Sequence, residues 1–343
     1  MDSYINNTPL VSVIVLNYNG KKFLHECFAS LKNQTYDNLE IIMVDNNSSD
    51  DSIDYTKENF PSIIVIKNNK NLGFAAGNNV GMRVARGNYF FVLNNDTKID
   101  SGCIKNLVEN TEKDKNIGMC APKIVSIYNP KLIDSVGLNI YPDGLARGMG
   151  RNEIDIGQFD KNQESLMPSA CAALYRKKML NEVGLFDETF FAYCEDSDLG
   201  IRARLAGWKS SAAPRAIVYH HYSGTFGKYS ETKAFLAERN HFFVAIKNFP
   251  IKLILLLPAY TAVRYASIIY GIIKKRGPAA KFQASKLTLV ITLIKAYFSL
   301  ITSLPYLIKE RKKIQKNKKL SSKDFLSLVK KYQLGVSKIT LQD

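Results

Sequence analysis

The chain has 343 residues, 46% of them apolar, which is room for one large domain with an appendage, or for two domains, around a sizeable core. Its net charge of +16 is lopsided, because residues 1–246 carry 27 Lys/Arg against 28 Asp/Glu while residues 247–343 carry 20 against 3. The excess sits where an anchor to an anionic surface would, and five scattered cysteines without a CxxC pair give no sign of a disulfide framework or a zinc site.

Residues Met1–Asn7 hold neither a basic nor an apolar leader, so the body is expected in the reducing cytoplasm. Val11–Leu16 is a β-branched apolar run, the pattern of a buried parallel strand, and it stops at Asn17-Tyr18-Asn19-Gly20. A helical pattern covers about 21–33. A second strand over 39–44 ends in Asp45-Asn46, and a third is expected over 62–66. A Gly-started helix over 73–85 precedes a fourth strand, 89–93, which ends in Asn94-Asn95-Asp96. The β-α-β-α repetition predicts an α/β fold, a mostly parallel sheet with helices on both faces. Ligands bind such sheets beyond the carboxyl ends of the strands, where the Asn- and Asp-rich clusters fall. Neither G-x-G-x-x-G nor G-x-x-x-x-G-K-[ST] occurs, which argues against dinucleotide dehydrogenases and P-loop enzymes.

Residues 126–166 lack periodicity and read as a variable insertion or lid. Regular structure resumes at 167–180 and leads into the aromatic-walled acidic stretch Phe190-Phe191-Ala192-Tyr193-Cys194-Glu195-Asp196-Ser197-Asp198, followed by a helical segment closed at Gly207. Carboxylates at a helix N-terminus stay ionised in its dipole. Two readings are open here: a general base for a hydroxyl, or a helix cap by Asp196 or Ser197. Ala216–Tyr219 reads as a strand ending in His220-His221, and 231–248 as a helix.

Taken in order, several stretches resemble inverting, family-2-like glycosyltransferases of GT-A fold, in particular their rhamnosyltransferase-like branch. They are Val11–Gly20, Val44–Ser48, Asn71–Asn79, Leu93–Thr97, Val183–Glu188, Glu195–Leu199 and Gly207-Trp208, which together span residues 10–240. The resemblance implies a nucleotide-sugar donor held by Asn17, Tyr18, Asp45, Asn46, Gly77, Asn79 and Asn95, with Arg239 reaching its phosphates. It also implies a divalent metal, Mg2+ or Mn2+, on Asp96 and His220, with His221 the adjacent alternative. Asn94 replaces the first Asp of the family's D-x-D-like motif, and an amide ligates a hard cation without bringing charge. Asp196 matches the family's base, with Glu195 orienting it or the acceptor. Single displacement needs one base and inverts the anomeric carbon.

Beyond a domain expected over 1–248, residues 249–343 hold two apolar stretches, 251–273 and 287–308, each about the length of a membrane span. Arg264 in the first and Lys295 in the second cost about 2.5–3.5 kcal/mol each at a span centre, which brings insertion near balance. The connection carries Lys274, Lys275, Arg276, Lys281 and Lys286 without an acid, so every flank belongs on the cytoplasmic side. In-plane or re-entrant helices on an anionic leaflet satisfy that pattern, in preference to nucleic acid as partner. The expectation is a membrane-associated transferase, with rhamnose as the plausible sugar and a lipid-linked glycan as acceptor in cell-surface polysaccharide synthesis. Galactofuranose or hexose transfer from a uridine nucleotide, and a non-catalytic sugar-nucleotide-binding scaffold, are the alternatives. No Gln-x-x-Arg-Trp, the mark of processive synthases, is present.

Overall fold

The computed structural model describes residues 8–161, 164–222, 230–282 and 285–342. Its N-terminal half alternates β1 (Val11–Asn17), α1 (Lys21–Lys32), β2 (Leu39–Asp45), α2 (Ser52–Asn59), β3 (Ile64–Lys67), α3 (Gly73–Val84) and β4 (Tyr89–Asn94). These four strands are parallel, in the order β3-β2-β1-β4. The run in β1 is continuously apolar because both sheet faces are covered. Val11, Val13 and Val15 pack with Leu24, Phe28 and Leu31 of α1, while Ile14 packs with Ala75 and Met82 of α3.

The next elements are β5 (Thr97–Ile99), α4 (Cys103–Glu112), β6 (Ile117–Ser126), β7 (Ile133–Ser135), β8 (Leu138–Ile140), β9 (Ala146–Gly148), β10 (Ala172–Arg176) and α5 (Lys177–Val183). α6 (Glu195–Leu205), β11 (Lys209–His220) and α7 (Glu231–Asn248) complete the body. The second half of the sheet is mixed. β10 runs antiparallel between β4 and β6, β11 is parallel to β6, and β5 is antiparallel to β11. Pairing of Ala172 with Leu93 places the start of β10 beside the carboxyl end of β4. The strand expected over 216–219 begins seven residues earlier, and its register with β6 shifts between Ala213 and Ile217, where Pro214 cannot donate to the ladder.

The C-terminal region comprises α8 (Ile251–Ile273), α9 (Lys286–Asn317), α10 (Ser322–Lys331) and α11 (Val336–Thr340). α8 and α9 are long and apolar enough to cross a bilayer, by length and composition. Only 22% and 17% of their apolar windows are buried, so neither is an ordinary core helix. One side of each joins Phe243 and Phe249 of the body through Leu253, Leu257, Leu300 and Leu307. The opposite side exposes Leu255, Ile269, Ile273, Leu287, Ile294 and Phe298. Arg264 faces inward, bonded to Asp143 and Glu238, whereas Lys295 lies on the exposed face.

Candidate functional site

A cavity of about 490 Å³ opens beyond the carboxyl ends of β1, β2 and β4. Tyr18, Asn46 and Asn95 line one part of it, Asp96 and His220 another, and Glu195 and Asp196 a third, so the strand-end clusters and the acidic loop face one space.

Behind the wall formed by Tyr18, Asn46 and Asn95 is a buried polar lattice. Asn17 Nδ2 donates to Asp45 Oδ1 at 3.0 Å, and Asn17 Oδ1 accepts from Asn95 Nδ2 at 2.7 Å. Asp45 also accepts from the Ser48 N–H and hydroxyl at 2.9 and 2.6 Å. Asn17 and Asp45 are fully buried and support the wall without lining it, whereas Tyr18, 37% exposed, stands at the rim. Asn46 Nδ2 donates to the Gly73 carbonyl at 2.9 Å, which ties the end of β2 to the start of α3. Gly20 leaves room for the Asn95 and Asn17 amides, which an added Cβ would clash with. Gly77 and Asn79 do not line the cavity. Gly77 admits Leu16, whose Cδ1 would lie 2.5 Å from an added Cβ, and Asn79 bonds the backbone of Phe186 and the Glu188 carboxylate.

On the second wall, His220 Nδ1 is 2.8 Å from Asp134 Oδ2 and Nε2 is 3.5 Å from Asp96 Oδ1. Burial opposes charge on this imidazole. Cys171 beside it and the two carboxylates nevertheless hold its pKa well above the usual range. Among the described residues no three His, Cys, Asp or Glu side chains converge to hold an ion alone. Asp96 and His220 nonetheless fit a hard divalent cation that takes one or two protein ligands and completes its shell with diphosphate oxygens and water. Asp134 on Nδ1 would be the outer partner orienting Nε2 toward such an ion. His221 turns away, toward the Tyr128 hydroxyl at 3.0 Å and Glu26 at 3.4 Å.

The acidic loop is bent before α6 starts. Phe191, Tyr193 and Cys194 all have positive φ, 63°, 68° and 67°. Asn240 of α7 holds that shape, its Nδ2 donating to the carbonyls of Phe190, Ala192 and Tyr193 at 2.9, 2.8 and 2.8 Å. The residue capping α6 is Cys194, without a side-chain cap bond, so the acids are available for other work. Asp196 accepts from the Ala170 N–H at 3.1 Å and the Ser197 N–H at 2.7 Å. Burial raises its pKa in spite of those donors. Burial and the adjacent Asp196 push Glu195 much further, and among the described residues Glu195 Oε2 has no hydrogen-bond partner. Of the two, Glu195 is held the more strongly toward its protonated form. Asp198 behaves differently. It is a buried anchor for Arg202 at 2.8 Å, Lys247 at 2.9 Å and Asn248 at 2.9 Å.

The family model for glycosyl transferase family 2 matches residues 12–184, half of the chain. The chain belongs to glycosyl transferase family 2. An uncharacterized glycosyltransferase of Haemophilus influenzae is 36% identical over 116 residues, 33% of this chain and 36% of its own length, so the match spans about a third of that relative. The N-acetylglucosaminyl-diphospho-decaprenol L-rhamnosyltransferase of Mycobacterium tuberculosis is 26% identical over 276 residues, 68% of this chain and 86% of its own. Among solved structures, GalNAc-T7 with UDP, GalNAc and Mn2+ has a TM-score of 0.56 at 18% identity, over 71% of this chain and 49% of that one. The Pyrobaculum calidifontis mannosyltransferase PcManGT with GDP-Man and Mn2+ has a TM-score of 0.54 at 16% identity, over 86% and 88%. The transferase therefore has the GT-A fold.

Cations on the wall of the transferase's cavity are not the one singled out from sequence. Arg239 lies against the Thr189 and Phe190 carbonyls, 3.1 Å from each, and does not line the cavity. Lys233, Arg147 and Arg151 do, and Arg151 bonds Asp134 at 2.7 Å. Asp134, Arg147 and Arg151 all come from the aperiodic 126–166 segment, which offers no pattern by which to single them out. Lys233, two residues into α7, has only its place near a helix start as a signal.

Proposed function

We propose that this transferase moves rhamnose from its nucleotide-activated form to a lipid-linked saccharide at the cytoplasmic face of the membrane, with inversion. The observation that carries the reading is the single cavity shared by Asp196 and the nucleotide-side residues Tyr18, Asn46 and Asp96. The printed activity of the Mycobacterium tuberculosis relative supports both the sugar and the polyprenyl-linked acceptor.

In this reading Tyr18 stacks on the base, and Lys233 and Arg151 offset diphosphate charge. Asp96 and His220 would hold a divalent metal, which supplies charge neutralisation on the departing nucleoside diphosphate. The acceptor oxygen bonds the anomeric carbon as the bond to the diphosphate oxygen breaks. Its proton passes to Asp196, and the electron pair leaves with the nucleoside diphosphate. Glu195 orients the acceptor or the base. Residues 1–248 form the catalytic domain, with 126–166 as its lid, and 249–343 the membrane-association region. Helices apolar on an outer side and docked on an inner one suit an in-plane arrangement.

The test is a donor screen with the full chain, divalent metal and a polyprenyl-diphosphate-linked N-acetylglucosamine. Nucleoside diphosphate release with dTDP-rhamnose and the appearance of a rhamnosylated lipid are expected. Turnover with a uridine-activated hexose alone would replace the sugar assignment, and no turnover with any donor would remove the reading.

A further inference from the structure

The cavity wall does not end with the catalytic body. Pro278, in the turn after α8, and Ile339, in α11, line the same space as Asp196. Packing of the C-terminus brings them there. Gly277 has φ +77°, and a Cβ on it would clash with the Thr340 carbonyl. The Ser267 and Thr340 hydroxyls are 2.6 Å apart. Arg147, also on the wall, donates from Nη1 to the carbonyls of Lys338 and Gln342 at 2.7 and 2.6 Å. Ile339 packs with Tyr141, Leu145 and Leu334, so this part of the wall is apolar.

Outside, the same turn is cationic. Lys274, Lys275 and Arg276 are exposed, and no Asp or Glu occurs between residues 239 and 309. On α8 just before them, Ile269, Tyr270 and Ile273 are exposed. An apolar strip, a cationic cluster and a residue of the cavity wall, Pro278, thus follow one another along residues 269–278.

We propose that this turn and α11 form the subsite for the isoprenoid diphosphate end of the acceptor. The tail lies on the strip from Ile269 to Ile273, the diphosphate meets Lys274, Lys275 and Arg276, and the attached sugar passes Pro278 and Ile339 toward Asp196. The assignment rests on the lipid-linked acceptor proposed above and adds which groups hold it. Charge complementarity selects the occupant, because a diphosphate needs clustered cations and a prenyl tail needs apolar surface beside them. A phospholipid headgroup would use the cations but leave the adjoining cavity wall at Pro278 and Ile339 unused.

The experiment measures binding of monomeric farnesyl diphosphate to the full chain without vesicles, alongside farnesol and inorganic pyrophosphate. Farnesyl diphosphate should bind at least tenfold more tightly than either half. Lys274→Ala/Lys275→Ala/Arg276→Ala, all on exposed side chains, should weaken it at least tenfold with an unchanged melting temperature. Saturating UDP or dTDP should leave farnesyl diphosphate bound. Pyrophosphate binding as tightly as farnesyl diphosphate, displacement by either nucleotide, or a triple variant that binds normally would each overturn the subsite. Because the readout is binding, failure of the transfer assay would sink the functional reading and leave this result to stand by itself.

Discussion

Arg264 on the first apolar helix, α8, and Glu238 on α7 share a doubled hydrogen bond, Nη1 to Oε2 at 3.0 Å and Nη2 to Oε1 at 2.9 Å. Nε of the same guanidinium donates to Asp143 at 2.6 Å, and Asp143 precedes the β9 wall of the cavity. The charge that counts against membrane insertion in the sequence therefore binds α8 to the enzyme. Arg264→Leu strands two buried carboxylates and should cost about 3–5 kcal/mol. Thermal unfolding checks this: a melting temperature within a degree of the parent would mean that Arg264 points elsewhere.

The loop before Asp196 depends on Asn240 in a similar way. Two amide hydrogens serve three carbonyls whose flanking residues sit at positive φ. Asn240→Ala should cost about 2 kcal/mol, since it leaves buried carbonyls without a donor. It should also lower kcat, because Glu195 and Asp196 lose their fixed entry into α6. Donor KM should change less than twofold, as Tyr18 and Asn46 belong to other elements. A variant with normal kcat would show that the loop holds its shape unaided.

These two relationships show where sequence reading succeeds and where it stops. The clusters at Tyr18, Asn46 and Asp96 are legible because strand period and turn residues fix which end of a parallel sheet they occupy. Asp196 is legible as an acid beside aromatics, but nothing in the spacing separates it from Asp198. That division is made by Lys247 and Arg202, which are 49 and 4 residues away from Asp198 and neutralise only one of the two. Asp134, Arg147 and Arg151 stay hidden because short, irregular strands carry no period. Arg239 and Lys233 lie on one helix, and only the packing of α7 decides which of them reaches the cavity.

Asp198 gives a stability prediction with a definite sign. Burial would raise its pKa, but Lys247 and Arg202 override that and hold it at about 2. A depressed folded-state pKa stabilises above the unfolded value near 3.8, and the contribution is lost as pH falls through about 2. Asp198→Asn should therefore lose about 2 kcal/mol at neutral pH. Its deficit should shrink as pH drops from about 4 toward 2. Denaturant titrations of both proteins across that range test it, and a pH-independent deficit would point to lost packing instead.

Asp196 has the opposite shift and a different readout. Burial raises its pKa, and a base works only when ionised, so kcat should fall as pH drops through that raised value. The acid limb should thus lie above the ordinary aspartate value of about 3.9. Asp196→Asn keeps the shape but cannot take a proton, and its single amide oxygen can accept from only one of the Ala170 and Ser197 N–H groups; it should cost about 10²–10⁴ in kcat. Donor binding should remain within a few-fold, because the nucleotide-side wall is built from β1, β2 and β4. Asp198→Asn should move stability and leave the acid limb in place. If instead Asp198→Asn shifts the limb while Asp196→Asn retains kcat, the roles of the two carboxylates are reversed.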